Sequence, residues 1–103
     1  GGNERRMILA VYCGEGYDLE IKEEGGYIFL HIHINSWGVG VVRGLKEDVQ
    51  FVKRVYLAQG HDVVFATTQS ERILKLWNMV EPCYEVVRLD DVSWLGSWLT
   101  EEI

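Results

Sequence analysis

The chain has 103 residues, enough for one domain with a single core and too few for two. Hydrophobic residues make up 48% and charged residues 25%, which excludes a disordered chain. Ten Lys and Arg against 16 Asp and Glu leave a net charge of −6, the wrong sign for coating nucleic acid through its phosphates.

No apolar run approaches the roughly 20 residues of a membrane-spanning helix. Residues 7–13 are too short for a secretory leader and are followed at once by acidic and glycine residues. The expectation is therefore a single cytoplasmic domain over residues 1–103, without membrane or nucleic-acid partners. Residues 1–6 read as a tag remnant or a frayed end. Cys13 and Cys83 form no disulfide framework and are expected to be reduced and mostly buried.

Residues 7–12 form a short apolar run closed by Gly14 and Gly16, and length favours a strand. Residues 18–22 alternate Leu19 and Ile21 with charges, the pattern of a half-exposed strand. Glu23-Glu24-Gly25-Gly26 is a turn. Residues 27–34 place Ile28, Leu30, Ile32 and Ile34 on one face and Tyr27, Phe29, His31 and His33 on the other. Both sets are substantial, which predicts a central strand covered on both faces. Residues 35–44 are glycine-rich and read as a loop or short strand.

From Leu45 a helical period takes over. Leu45, Val49, Val52 and Tyr56 form a stripe with Phe51 and Val55, while Lys46, Glu47, Gln50, Lys53 and Arg54 take the other side. The spacing predicts a helix over 45–58, with Gly60 at its C-cap. Residues 61–67 have the continuous apolar middle of a buried parallel strand. Thr68-Gln69-Ser70-Glu71 matches a capping box before a helix carrying Ile73, Leu76, Trp77 and Val80 inward, which Pro82 stops. Residues 84–89 are a further strand. Residues 90–99 are a last strand or a docking helix, and Glu101-Glu102 lie in solvent. The fold class is α/β, an α+β mixed sheet: an antiparallel meander, then strand–helix–strand–helix–strand with parallel right-handed crossovers.

Three constellations bear on chemistry. His31 and His33 share a strand face and are two apart, a spacing that suits a metal. The third histidine, His61, opens the neighbouring parallel strand and lies at the opposite end of the sheet, so packed histidines and no metal are expected. Gly38, Gly40 and Gly44 fall near a helix start, where free N–H groups favour an anion, although a turn that needs glycine explains them equally. Trp94 and Trp98 share a face whether helical or extended, which fits either core packing or a patch for a protein partner or a second copy.

Taken together, residues 18–90 resemble the C-terminal half of a GNAT-superfamily acetyltransferase, in the style of small phage-encoded acetyltransferase-like proteins. The elements that carry the likeness are residues 27–34, the glycine-bearing loop, the helix 45–58, the strand 62–67 and the helix 70–80. In that family a loop of pattern Gln/Arg-x-x-Gly-x-Gly/Ala offers backbone N–H groups to the pyrophosphate of acetyl-CoA. Asn35-Ser36-Trp37-Gly38-Val39-Gly40 keeps both glycines and has Asn at the first position. Arg43-Gly44 is a second partial match, in which Asp48 would repel the phosphates.

The family's last helix often reads Asn-x-x-Ala-x-x-Leu-Tyr. Here Ser70, Ile73, Leu76 and Trp77 stand at those positions, and an indole N–H cannot serve as the general acid. The resemblance implies Asn35, Gly38, Gly40, Arg43, Gly44 and Ser70 as cofactor contacts and His31 or His33 as a base. Only 17 residues precede Asp18, so the two helices that build much of the family's acceptor site lack a counterpart. The departures favour a degenerate, non-catalytic structural or protein-binding module without cofactor, in a host cytoplasm or a virion. The alternative is an acetyl-CoA-dependent N-acyltransferase.

Overall fold

A computed structural model of the chain describes residues 6–101; Gly1-Gly2-Asn3 and Glu102 lie outside the described residues. The elements are β1 (Arg6–Gly14), β2 (Tyr17–Glu24), β3 (Tyr27–Ile34), α1 (Val39–Ala58), β4 (Val63–Thr68), α2 (Glu71–Val80), β5 (Glu85–Arg88) and β6 (Trp94–Leu99). They build one six-stranded mixed sheet in the order β1-β2-β3-β4-β6-β5, and the fold is mixed α/β.

The first three strands form an antiparallel meander, because each is joined to the next by a tight turn. Gly16, Gly25 and Gly26 supply the positive φ those turns require. β3 and β4 are parallel, joined through α1 as a crossover. The second crossover does not yield a parallel neighbour. β6 enters between β4 and β5 and pairs antiparallel with both, so β5 ends as the sheet's outer edge.

Both helices pack on the same face of the sheet. Leu45, Val49, Val52 and Tyr56 of α1 and Leu76, Trp77 and Val80 of α2 join Leu19, Ile21, Ile28, Leu30, Val64, Ala66 and Trp98 in one buried cluster. Burying each such side chain contributes about 1.5–3 kcal/mol before chain entropy is counted.

β3 is therefore covered on one face only. Ile28 and Leu30 are buried, whereas Tyr27 is 58% exposed and His33 is exposed. The aromatic set on its second face packs laterally rather than under a helix, since no second helical layer lies there among the described residues.

Several local expectations change with tertiary context. α1 begins at Val39, six residues before the apolar stripe, because Val41 is buried and extends that stripe upstream through Gly40 and Gly44. Lys53, on the polar side by spacing, is buried at 5% exposure against Glu81. Phe51 is exposed and meets Tyr12 edge to face at 6.0 Å.

The N-cap of α2 is Ser70 rather than Thr68. The Ile73 N–H donates to Ser70 Oγ at 3.2 Å, and Thr68 Oγ1 accepts from the Ser70 N–H at 3.0 Å. Cys13 is exposed rather than buried, Cys83 is half-buried, and both are free thiols.

Candidate functional site

In an open α/β sheet, ligands enter beyond the carboxyl ends of parallel strands. β3 and β4 share one paired position, Phe29 with Phe65. Past it, a crevice of about 490 Å³ lies between the strands, lined by His31, Ile32, Thr67, Thr68 and Gln69 and reaching Ile73 and Trp77 of α2. Leu89 and Ser93, from the loop joining β5 and β6, close its far rim. Asp90 holds that loop in shape: its Oδ1 accepts the N–H groups of Val92 at 2.8 Å and Ser93 at 2.9 Å, bonds that keep the carboxyl below its ordinary pKa. Arg88 braces the same loop by donating to the carbonyls of Asp90 and Asp91.

The two histidines stay together on one face of β3, and only His31 lines the crevice. His31 lines it, and burial, followed by the charges of His33 and Lys22, lowers the imidazole's pKa below the ordinary 6.5. A neutral imidazole is able to accept a proton. His33 lies on the outer side with its ring 4.4 Å from that of His31. His61 stacks on Tyr56, far along the sheet, and among the described residues no group of three His, Cys, Asp or Glu converges as a metal site.

A second groove, of about 520 Å³, separates the start of α1 from α2. Trp37, Gly38, Val39 and Val42 form one wall; Arg72, Lys75, Leu76 and Met79 form the other. The Arg72 guanidinium lies 3.8 Å from the centre of the Trp37 ring. At the helix start, Gly38 occupies the N-cap position in extended backbone without a side-chain cap, and the first turn carries no acidic residue of its own. Its N–H groups, with Arg72 and Lys75 nearby, make this end electropositive. Glu15 offsets part of that potential: its Oε2 lies 3.2 Å from where a Cβ on Gly40 would stand.

The remaining residues named from the sequence serve other roles. Asn35 Nδ2 donates to Asp18 Oδ2 at 3.3 Å. Arg43 is exposed on α1, beyond the first turn. Gly44 gives room to the Tyr17 ring, since a Cβ there would stand 2.6 Å from the phenol oxygen. Asp48 accepts a hydrogen bond from Tyr17 well inside the helix and does not face its N-terminus. Ser70 spends its hydroxyl on the α2 cap.

Trp98 is buried at 5% exposure and Trp94 is half-buried beneath Arg88, so the two do not form an exposed patch. Spacing alone did not single out Thr67, Gln69, Arg72 or Lys75. The signal available for them was position, at the carboxyl end of a parallel strand and on the first turns of the next helix.

Comparison with protein-family models, with curated proteins and with solved structures finds no match to the chain.

Proposed function

We propose that this chain is a GNAT-like ligand-binding module that holds an acyl-pantetheine donor of the acetyl-CoA type without the family's acid catalysis. The observation that carries the reading is the single paired position between parallel β3 and β4, beside a crevice bordered by both strands. A pantetheine arm offers amide groups that can bond to strand backbone, and the electropositive start of α1 with Arg72 and Lys75 suits its phosphates.

The non-catalytic part rests on Trp77. It occupies the family's acid position, is buried at 2% exposure and carries an indole N–H that does not give up its proton near neutral pH. The module then acts by presenting a bound ligand or a surface to a protein partner, in a cell or in a virus particle.

Acetyl-CoA titrated against tryptophan fluorescence and thermal stability tests this, because Trp37 and Trp77 border the two cavities. A hundred-fold excess over Kd raises stability by about 2.7 kcal/mol. Gly38→Asp, which places a carboxylate at the open helix start, abolishes the shift. No shift at millimolar acetyl-CoA overturns the reading.

The position of His31 supports a second reading, an N-acyltransferase that uses this imidazole as base toward an amine. Thiol release with a primary amine present, lost in His31→Gln with donor binding intact, would establish that reading in place of the first.

A further inference from the structure

The sheet has two outer edges, and they differ. β5 is four residues long and carries Glu85 and Arg88, the short, charged form that discourages pairing with another strand. β1 is nine residues long. From residue 7 to residue 14 it has neither a charge nor a proline, and Met7, Ile8, Leu9 and Val11 are exposed. Among the described residues nothing pairs with its outer side.

The ladder fixes which backbone groups face outward. The two-residue turn Glu15-Gly16 makes Gly14 and Tyr17 a hydrogen-bonded pair. Alternation makes Tyr12–Leu19 and Ala10–Ile21 bonded pairs as well. Val11 and Cys13 stand between them, with N–H and C=O turned away from β2. A register shift between Ile8 and Ala10 ends this regular run, so the free stretch is residues 10–14.

α1 continues the same edge above the sheet. It runs antiparallel to β1, with Gly44 beside Tyr17 and Phe51 against Tyr12. Glu47 and Arg54 lie about one turn to either side of Phe51. Both are exposed, and neither makes an ion pair among the described residues.

We infer that β1 pairs antiparallel with β1 of a second copy, about a two-fold axis beside Tyr12. Val11 of each copy then exchanges both backbone hydrogen bonds with Cys13 of the other. The two Tyr12–Phe51 pairs meet across the axis. The α1 helices lie side by side and antiparallel, so Glu47 of one faces Arg54 of the other, twice. An identical copy supplies that complementarity, and the uncharged strands oppose no like charges. Asp18 and Glu20, next to Cys13 and Val11, stay three strand spacings, about 14 Å, from the other copy's Glu20 and Asp18. That exceeds the screening length of about 8 Å at physiological salt. The contact is one strand and one helix deep, which places it among weak, reversible dimers. The crevice lies at β3 and β4 and the groove on the other flank of α1, so both stay open.

Sedimentation velocity from micromolar to near-millimolar protein tests this, with far-UV circular dichroism as the control for folding. The chain is expected to pass from monomer to dimer over that range. Val11→Pro removes an outward N–H and leaves the β1–β2 bonds intact; it weakens the dimer about tenfold. Glu47→Arg and Arg54→Glu each weaken it about fivefold, and E47R/R54E restores it. Both charges are on the surface, so this series decides the matter even if Val11→Pro does not fold. In hydrogen exchange, the Val11 and Cys13 amides slow as concentration rises. A monomer throughout, a dimer indifferent to a folded Val11→Pro, or a double swap no better than the singles would each overturn the interface. None of these results bears on acetyl-CoA binding.

Discussion

Trp77 and Trp98 meet edge to face, ring centroids 5.3 Å apart at 82°, over the backbone of Gly96. The pair joins α2 to β6, and Trp98 Nε1 also donates to the Glu81 carbonyl at 2.9 Å, just past the end of α2. Both rings are fixed, so neither has room to give way.

A methyl group on Gly96 would lie 2.8 Å from Trp77 Cζ3 and 3.1 Å from Trp98 Cη2. Gly96→Ala is expected to cost about 1–3 kcal/mol by overpacking. Urea denaturation gives the loss, and a changed near-ultraviolet dichroism of the tryptophan pair shows that the rings have moved.

Tyr17 packs between the β1–β2 hairpin and α1, with its hydroxyl donating to the Asp48 carboxylate. Burial, followed by Asp48, pushes the phenol above its ordinary pKa of 10, so it remains a donor. Tyr17→Phe strands that carboxylate and is expected to cost about 1–3 kcal/mol. Asp48→Asn keeps an acceptor and costs less. Equilibrium denaturation of the two variants side by side checks the order.

Lys53 is 5% exposed, and its Nζ lies 3.0 Å from Glu81 Oε2. Removing Glu81 leaves a buried ammonium without its carboxylate, whereas Lys53→Met removes the charge and keeps the volume. Glu81→Ala is expected to cost about 3 kcal/mol, the low end for a stranded buried charge because Glu81 is itself partly exposed. Lys53→Met is expected to cost about 1 kcal/mol or less. Equal losses from the two would contradict this account of the pair.

The pKa of His31 lies below the ordinary 6.5, first through burial and then through His33 and Lys22. The unfolded chain thus takes up this proton before the folded one does. The contribution to stability is full above pH 6.5 and is lost as pH falls below it through the folded value. Urea midpoints measured on either side of that pH should fall on the acid side, and His31→Gln should flatten the fall.

Periodicity made most of the elements legible. The alternation of residues 27–34, the Leu45–Val49–Val52–Tyr56 stripe and the apolar run before Thr68 each have one regular backbone that buries them. Glycine hid the start of α1. Gly40 and Gly44 disfavour a helix by propensity, yet Glu15 approaches the first and the Tyr17 ring fills the space beside the second, contacts that no local pattern carries. The crevice was legible only in part. His31 was visible as a residue type, but its place on the crevice wall depends on how β3 and β4 part, which is not encoded along either strand.

By itself, the sequence determined the mixed α/β class, the parallel relation of residues 27–34 to the strand after α1, and the inward stripes of both helices. These follow from local repeat and connection length, which a chain cannot satisfy in many ways. Only the tertiary structure decided that both helices lie on one face, that β6 enters between β4 and β5, and that Lys53 and Trp98 are buried while Tyr27 is exposed. An alternating strand specifies that it has two faces; which one receives the helices depends on the whole sheet and the hand of its crossovers.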